Sequence, residues 1–318
     1  MKKALLIGIN HYSFGPLNGP INDVQEMAKW LGTHDDGSPN YDCKLLTSTP
    51  DPLITDSKLR KEVKEFFTRE ADSAILYFSG HGSENTVDGY LVSQNATIDD
   101  PGLAFSELMK HVSQSKIPEI NIILDCCHAG HLANWSTDPN GSAISSLREG
   151  ISILSSSRGT EYSVERGGKG LFTSIICDAL KGGAADVKGD VSIAGLYAYA
   201  DQLLGPWDQR PLFKSHVSRI KPIRKCSSKV DLRILRGLPN YFEFNDSQHQ
   251  LDPSYEPTCE PKDQDKEAIF SDLQELVSVG LVAPVDEEHM YYAAINEKSC
   301  ELTLLGKFYW KLAKEKKI

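Results

Sequence analysis

Five mostly apolar runs punctuate the first half of the chain, near residues 3–9, 43–47, 73–78, 120–124 and 151–155. They are short and rich in Ile, Leu and Phe, and most are continuous rather than alternating, the pattern of strands buried on both faces. Helical periodicity falls between and after them, over 22–32, 57–70, 104–113, 171–181 and 191–204. This alternation predicts an α/β fold with a parallel sheet covered on both sides. The opening Met1-Lys-Lys-Ala-Leu-Leu-Ile-Gly-Ile superficially resembles a signal peptide. Its apolar run breaks at Asn10-His11 without a small-residue cleavage site, so it reads as the first strand.

After Pro222 the pattern changes. Lys225-Cys-Ser-Ser-Lys-Val is polar, and the stretch from Leu251 to Asp263 is proline-rich and acidic. At 318 residues the chain exceeds the usual single domain, so one large and one small domain are expected. The divisions fall at 1–225, a connecting segment 226–265, and 266–318. The last part shows an amphipathic helix from Glu267 to Gly280, then a hairpin pairing Tyr291-Tyr-Ala-Ala-Ile with Glu301-Leu-Thr-Leu, and a final helix from Gly306.

The chemistry concentrates in two segments that close apolar runs, Tyr77-Phe-Ser-Gly-His81-Gly82 and Asp125-Cys-Cys127-His-Ala-Gly130. In a parallel sheet the carboxyl ends of neighbouring strands face one crevice, where residues distant in sequence meet across a substrate. A thiol is mostly protonated at neutral pH and needs an imidazole to take its proton and return it to a leaving amine. His81 suits that role. Gly82 brings backbone N–H groups close to a reacting carbonyl, and the N–H groups of Gly82 and Cys127 would form an oxyanion hole. The plain alternative makes Cys126 and Cys127 core thiols and His81 a satisfied loop histidine.

Ser79-Gly-His81-Gly82 and Asp125-Cys-Cys127-His-Ala-Gly130 resemble the histidine and cysteine boxes of caspase-like peptidases, in the metacaspase and paracaspase branches. Ala4-Leu-Leu-Ile-Gly-Ile-Asn10, Leu17-Asn-Gly-Pro-Ile-Asn-Asp23, Ile151-Ser-Ile-Leu-Ser-Ser-Ser-Arg158 and Gly170-Leu-Phe-Thr173 extend the likeness over about two thirds of the chain. The resemblance implies a caspase-like fold, a mostly parallel six-stranded sheet flanked by helices. It also implies a cysteine endopeptidase in which Cys127 attacks and His81 is the acid/base, with no cofactor needed for the chemistry.

Caspases that cleave after aspartate hold it with a glutamine two residues before the nucleophile and an arginine on a later strand. Here those positions carry Asp125 and Glu165, and Asp23 matches a third acidic position used by metacaspases and paracaspases. Ser155 and Ser156 belong to the same substrate-binding segment. Three converging carboxylates call for a cation, and a guanidinium offers bidentate geometry. The implied substrate is a protein with Arg, or secondarily Lys, before the scissile bond. Arg148 is then a candidate for self-cleavage, and Asp88, Asp99 and Asp100 are the candidates for the calcium site of some relatives. Singly, these acids also read as helix caps, turns or solvated charges.

A net charge of −10 argues against nucleic acid and anionic membranes as partners. The seven cysteines form no Cys-x-x-Cys pair, which points to a reducing cytoplasm rather than a disulfide framework. The C-terminal part resembles a winged helix over about fifty residues. From Val230 onward it has 10 Lys and Arg against 17 Asp and Glu, which favours protein contact over DNA. The resemblance therefore implies a gated effector of cell death or defence, awaiting an activating ligand or partner. The competing reading is a catalytically dormant platform whose winged helix recruits a protein or nucleic acid.

Overall fold

The computed structural model describes residues 1–86, 88–126, 147–156, 165–166, 169–204 and 210–318. They fall into two compact units, Met1–Ala185 with Asp190–Ser227, and Asp186–Gly189 with Ser228–Ile318.

The first unit begins with β1 (Lys2–Gly8), α1 (Pro20–Gly32), β2 (Tyr41–Thr47), α2 (Asp56–Thr68) and β3 (Ser73–Ser79). Three short strands follow, β4 (Gly82–Glu84), β5 (Gly89–Val92) and β6 (Gly102–Ala104), then α3 (Phe105–Gln114), β7 (Ile120–Asp125) and β8 (Ile151–Ser155). A small hairpin, β9 (Glu165–Arg166) and β10 (Lys169–Gly170), leads into α4 (Leu171–Asp178). Then come β11 (Asp190–Ser192), α5 (Ile193–Leu203), β12 (Leu212–His216) and β13 (Pro222–Lys225).

Six strands make the main sheet in the order β12-β8-β7-β3-β1-β2. All neighbours are parallel except β12, which runs antiparallel to β8 at one edge. This is the expected mostly parallel α/β sheet, and each of the five predicted strands and five predicted helices is present within a few residues of its expected bounds.

Period-two alternation divides the core. Leu5, Ile7, Leu76, Phe78, Ile122 and Leu124 pack on the face covered by α2 and α3. Ala4, Leu6, Ile75, Tyr77 and Ile123 face α1, α4 and α5. The alternation reaches the strand ends, so Ser79 and Asp125 emerge on the same side as Tyr77 and Ile123. The antiparallel sheet β4-β5-β6 was not expected from the pattern. Its Leu91, Val92 and Leu103 join the core on the α2 and α3 side.

The second unit contains α6 (Leu232–Tyr241), β14 (Gln248–Gln250), α7 (Gln264–Ser278), β15 (Val282–Pro284), α8 (Met290–Ile295), β16 (Ser299–Leu302) and α9 (Leu304–Lys314). Its strands form an antiparallel sheet in the order β14-β16-β15, giving a small α+β region. The stretch 226–265, expected as a connector, holds α6 and β14, and its Ile234, Leu235, Leu238 and Phe242 are core residues. The expected hairpin strand at Tyr291 is instead helix α8. Met290, Ala293 and Ala294 bury one helical face while Tyr291 and Tyr292 stay exposed, a spacing of three and four that a strand cannot present. Thr303 caps α9 by accepting from the Gly306 N–H at 3.1 Å, so this helix starts two residues before Gly306.

Candidate active site

The site begins with a close approach. At Gly8, where β1 ends, a Cβ would lie 2.5 Å from the Pro20 carbonyl oxygen, so only glycine lets the start of α1 settle on the strand end. That position delivers Asp23, in the first turn of α1, to the end of β3. Ser79 Oγ donates to Asp23 Oδ2 at 3.0 Å. The Gly170 N–H donates to both Asp23 oxygens, at 3.1 and 3.3 Å.

Asp125 ends β7, in register with Ser79. Thr173 Oγ1 donates to Asp125 Oδ2 at 2.6 Å, and the Tyr77 hydroxyl donates to Thr173 Oγ1 at 2.6 Å. Burial, followed by the charges of Asp23 and Asp125, holds the Tyr77 hydroxyl well above its ordinary range, so it remains a donor. Gly170 lies between the two acids. A Cβ on it would stand 2.4 Å from Asp125 Oδ2 and 3.1 Å from Asp23 Oδ2. Asp23 is 1% exposed and Asp125 4%. Glu165 belongs to this neighbourhood through its backbone, paired with Gly170 across the β9–β10 hairpin.

His81 follows directly. The Gly80 N–H donates to the Asp125 carbonyl at 3.3 Å, tying the turn that carries His81 to the strand end that leads toward Cys127. Cys127 itself lies outside the described residues. His81 Nε2 sits 2.6 Å from the Gly15 carbonyl oxygen. A carbonyl can only accept, so Nε2 carries the proton and Nδ1 carries the lone pair of the neutral ring. Tyr12 completes the mount. Its hydroxyl accepts from the His81 N–H at 3.0 Å and donates to the Val92 carbonyl at 3.2 Å. The Tyr12 and His81 rings pack with centroids 4.6 Å apart, and burial raises the Tyr12 hydroxyl above its usual range.

The other expected site residues are distributed as follows. Gly82 opens β4 directly after His81. Ser155 and Ser156 are buried at the end of β8, and the Ser156 N–H donates to the Leu124 carbonyl at 2.9 Å. Among the described residues, the buried Ser156 hydroxyl has no hydrogen-bond partner. Arg148 is tied to carbonyls, donating from Nη2 to Ile117 at 2.6 Å and from Nη1 to Glu149 at 2.9 Å. Asp100 pairs with Arg60 at 2.9 Å, and Asp88 accepts the Ser106 N–H at the start of α3 at 3.2 Å. Among the described residues, no group of three or more His, Cys, Asp or Glu could hold a metal ion.

Sequence reasoning missed Tyr12 and Gly15, which act through a ring face, a hydroxyl and a main-chain oxygen that no motif encodes. Thr173 and Gly170 were visible only as part of a matching segment. Their roles depend on where α4 begins.

A parallel sheet with a histidine at one strand end and a cysteine-bearing segment leaving the next defines the caspase-like class of α/β proteins. The sequence profile of the caspase domain, peptidase C14, matches residues 1–220, and the chain belongs to that family. Metacaspase-1 of Lodderomyces elongisporus is 27% identical over 150 residues, covering 41% of this chain. The chain spans only 33% of that relative's length. A crystallised protein of Geobacter sulfurreducens superposes with a TM-score of 0.52 at 17% identity, over 71% of this chain and 99% of its own. Caspase-1 of Spodoptera frugiperda does so with a TM-score of 0.52 at 16% identity, over 71% of this chain and 90% of its own. These likenesses establish the caspase-like fold. Among the described residues, no helix is long and apolar enough to cross a membrane.

Proposed function

We propose that the chain is a cysteine endopeptidase cleaving polypeptides after Arg, with Lys second. In the proposed reaction His81 Nδ1 takes the proton of the Cys127 thiol, and the thiolate attacks the carbonyl carbon of the scissile bond. The same imidazole then protonates the leaving amine as the C–N bond breaks, and water hydrolyses the thioester to regenerate the thiol. No cofactor enters this sequence.

The observation that carries the reading is the convergence of Asp23 and Asp125 on Gly170, beside the strand end that bears His81. Two buried carboxylates at that point favour a cationic side chain, and a guanidinium can address both. With Asp23 and Asp125 1% and 4% exposed, a substrate arginine reaches them only after Gly170 withdraws. The reading is therefore of a gated enzyme whose activating ligand or partner displaces the β9–β10 hairpin. The second unit is the natural place for a protein contact, on the excess of 17 acidic over 10 basic residues from Val230 onward and on its winged-helix-like sequence.

The test is turnover of short fluorogenic peptides ending in Arg, Lys or Asp by the native chain, Cys127→Ala and Asp125→Ala, with and without calcium. Arg turnover lost in both variants supports nucleophile and pocket. Asp turnover overturns the specificity while leaving the peptidase. Absence of turnover together with absence of labelling of Cys127 by iodoacetamide, a probe that needs no entry to the acidic pocket, overturns the enzyme reading.

A further inference from the structure

A cavity of about 710 Å³ opens beside His81, on the side away from the two acids. Its walls come from the loop after β1, from β4 and β5, and from the β5–β6 connection. Phe14, Tyr90, Val92, Ala96, Ile98 and Pro101 give it an apolar lining, and among the described residues Glu84 is its only carboxylate. Phe14 is 57% exposed and Ile98 99% exposed. Two large apolar side chains held in water at the mouth of a cavity mark a binding surface more than they stabilise the fold.

The position of this cavity relative to the chemistry decides its occupant. The inference rests on the peptidase reading above. In that reading the side chain before the scissile bond turns toward Asp23 and Asp125, on the α1 and α4 side of the sheet. His81 must touch the leaving amine to protonate it, so the residue after the scissile bond lies against the imidazole. The cavity starts at His81 and Gly82 and continues along β4 and β5, which pack on the α2 and α3 side. An extended polypeptide crossing the sheet end through the scissile bond therefore runs from the acidic pocket into the apolar cavity.

We propose that this cavity is the subsite for the residues that follow the scissile bond, and that it selects large apolar side chains such as Leu, Met or Phe at the first two of them. The substrate class becomes an Arg-directed cleavage site followed by an apolar pair, a narrower target than a basic residue alone. Partial burial of a Leu or Phe side chain in a half-open groove corresponds to about a tenfold gain in kcat/KM over Gly.

The experiment uses the full chain and internally quenched peptides identical up to and including Arg, followed by Leu-Phe, Gly-Gly or Asp-Asp. The expected order is Leu-Phe above Gly-Gly by about tenfold, with Asp-Asp lowest. In Ile98→Asp, whose site is on the surface and tolerates the change, the Leu-Phe to Gly-Gly ratio should fall toward one. Ala96→Asp, inside the cavity, should do the same. Equal kcat/KM for all three peptides would overturn this subsite while leaving the peptidase intact, since Arg cleavage would still be observed. Loss of all cleavage together with no labelling of Cys127 would overturn both.

Discussion

The Nε2–H of His81 donates to the main-chain oxygen of Gly15 across 2.6 Å, and this one bond fixes which imidazole nitrogen is left to act as base. A main-chain acceptor cannot be protonated away, so the tautomer holds over the working pH range. The geometry also makes position 15 sensitive. A Cβ at Gly15 would lie 3.3 Å from Nε2, closer than an ordinary contact. Gly15→Ala should push the ring by a few tenths of an ångström and lower kcat about three- to tenfold with KM little changed, read from steady-state kinetics on an Arg peptide.

Tyr12→Phe removes the acceptor for the His81 N–H and the donor to the Val92 carbonyl. Two main-chain groups then lose their partner, at a cost of about 1–3 kcal/mol. The expected result is a lower denaturation midpoint together with a kcat loss exceeding the KM change. A fall in stability with unchanged kcat would assign Tyr12 to the scaffold alone.

Gly170→Ala places a methyl group against Asp125 and Asp23. Relief requires moving the hairpin, α4 or a carboxylate, so the expected cost is about 1–3 kcal/mol, and because the proposed gate opens when Gly170 withdraws, basal Arg turnover should rise. Thermal unfolding and kinetics on the same preparation check this. Wild-type stability and turnover would mean that the β9–β10 hairpin does not hold Gly170 between the acids in solution.

Stability should fall at alkaline pH. Burial raises the hydroxyls of Tyr12, Tyr41 and Tyr77 above their ordinary value of about 10. Above that pH the unfolded chain loses these protons while the folded chain keeps them, so the unfolded state binds fewer and stability declines as pH rises. Urea midpoints measured between about pH 8 and pH 11 should drop on the alkaline side, with a further rise in tyrosinate absorbance as the protein unfolds and Tyr12, Tyr41 and Tyr77 are released.

Arg148 is committed to the carbonyls of Ile117 and Glu149, at 2.6 and 2.9 Å. Cleavage after it requires this turn to leave the fold. The folded chain incubated at working concentration should therefore yield no fragment ending at Arg148, as intact-mass measurement would show. Arg148→Ala should lower stability by about 1–3 kcal/mol through unpaired carbonyls.

Much of the first unit was legible in the amino-acid order. A parallel sheet buried on both faces writes itself as continuous apolar runs, and its crossovers write themselves as helical spacing, so β1, β3, β7 and β8 and the helices between them were all visible. The second unit was harder. Met290, Ala293 and Ala294 lie in a six-residue helix too short for its period to stand out, and the adjoining tyrosines suggested a strand. Strands β4 to β6, of three or four residues each, were equally below what local pattern can register.

The candidate site divides along the same line. Local sequence placed His81 just after a strand and Asp23 and Asp125 at element ends, because motifs and apolar runs are local properties of the chain. Only the tertiary structure decided that Gly170 and Thr173 meet those acids, that Gly15 and Tyr12 mount His81, and that an apolar cavity starts where the imidazole ends. The hydrogen bonds among them join residues 48 to 147 positions apart. They arise from strand order, from alternation across the sheet and from the close approach at Gly8, which act through space and leave no period in the sequence.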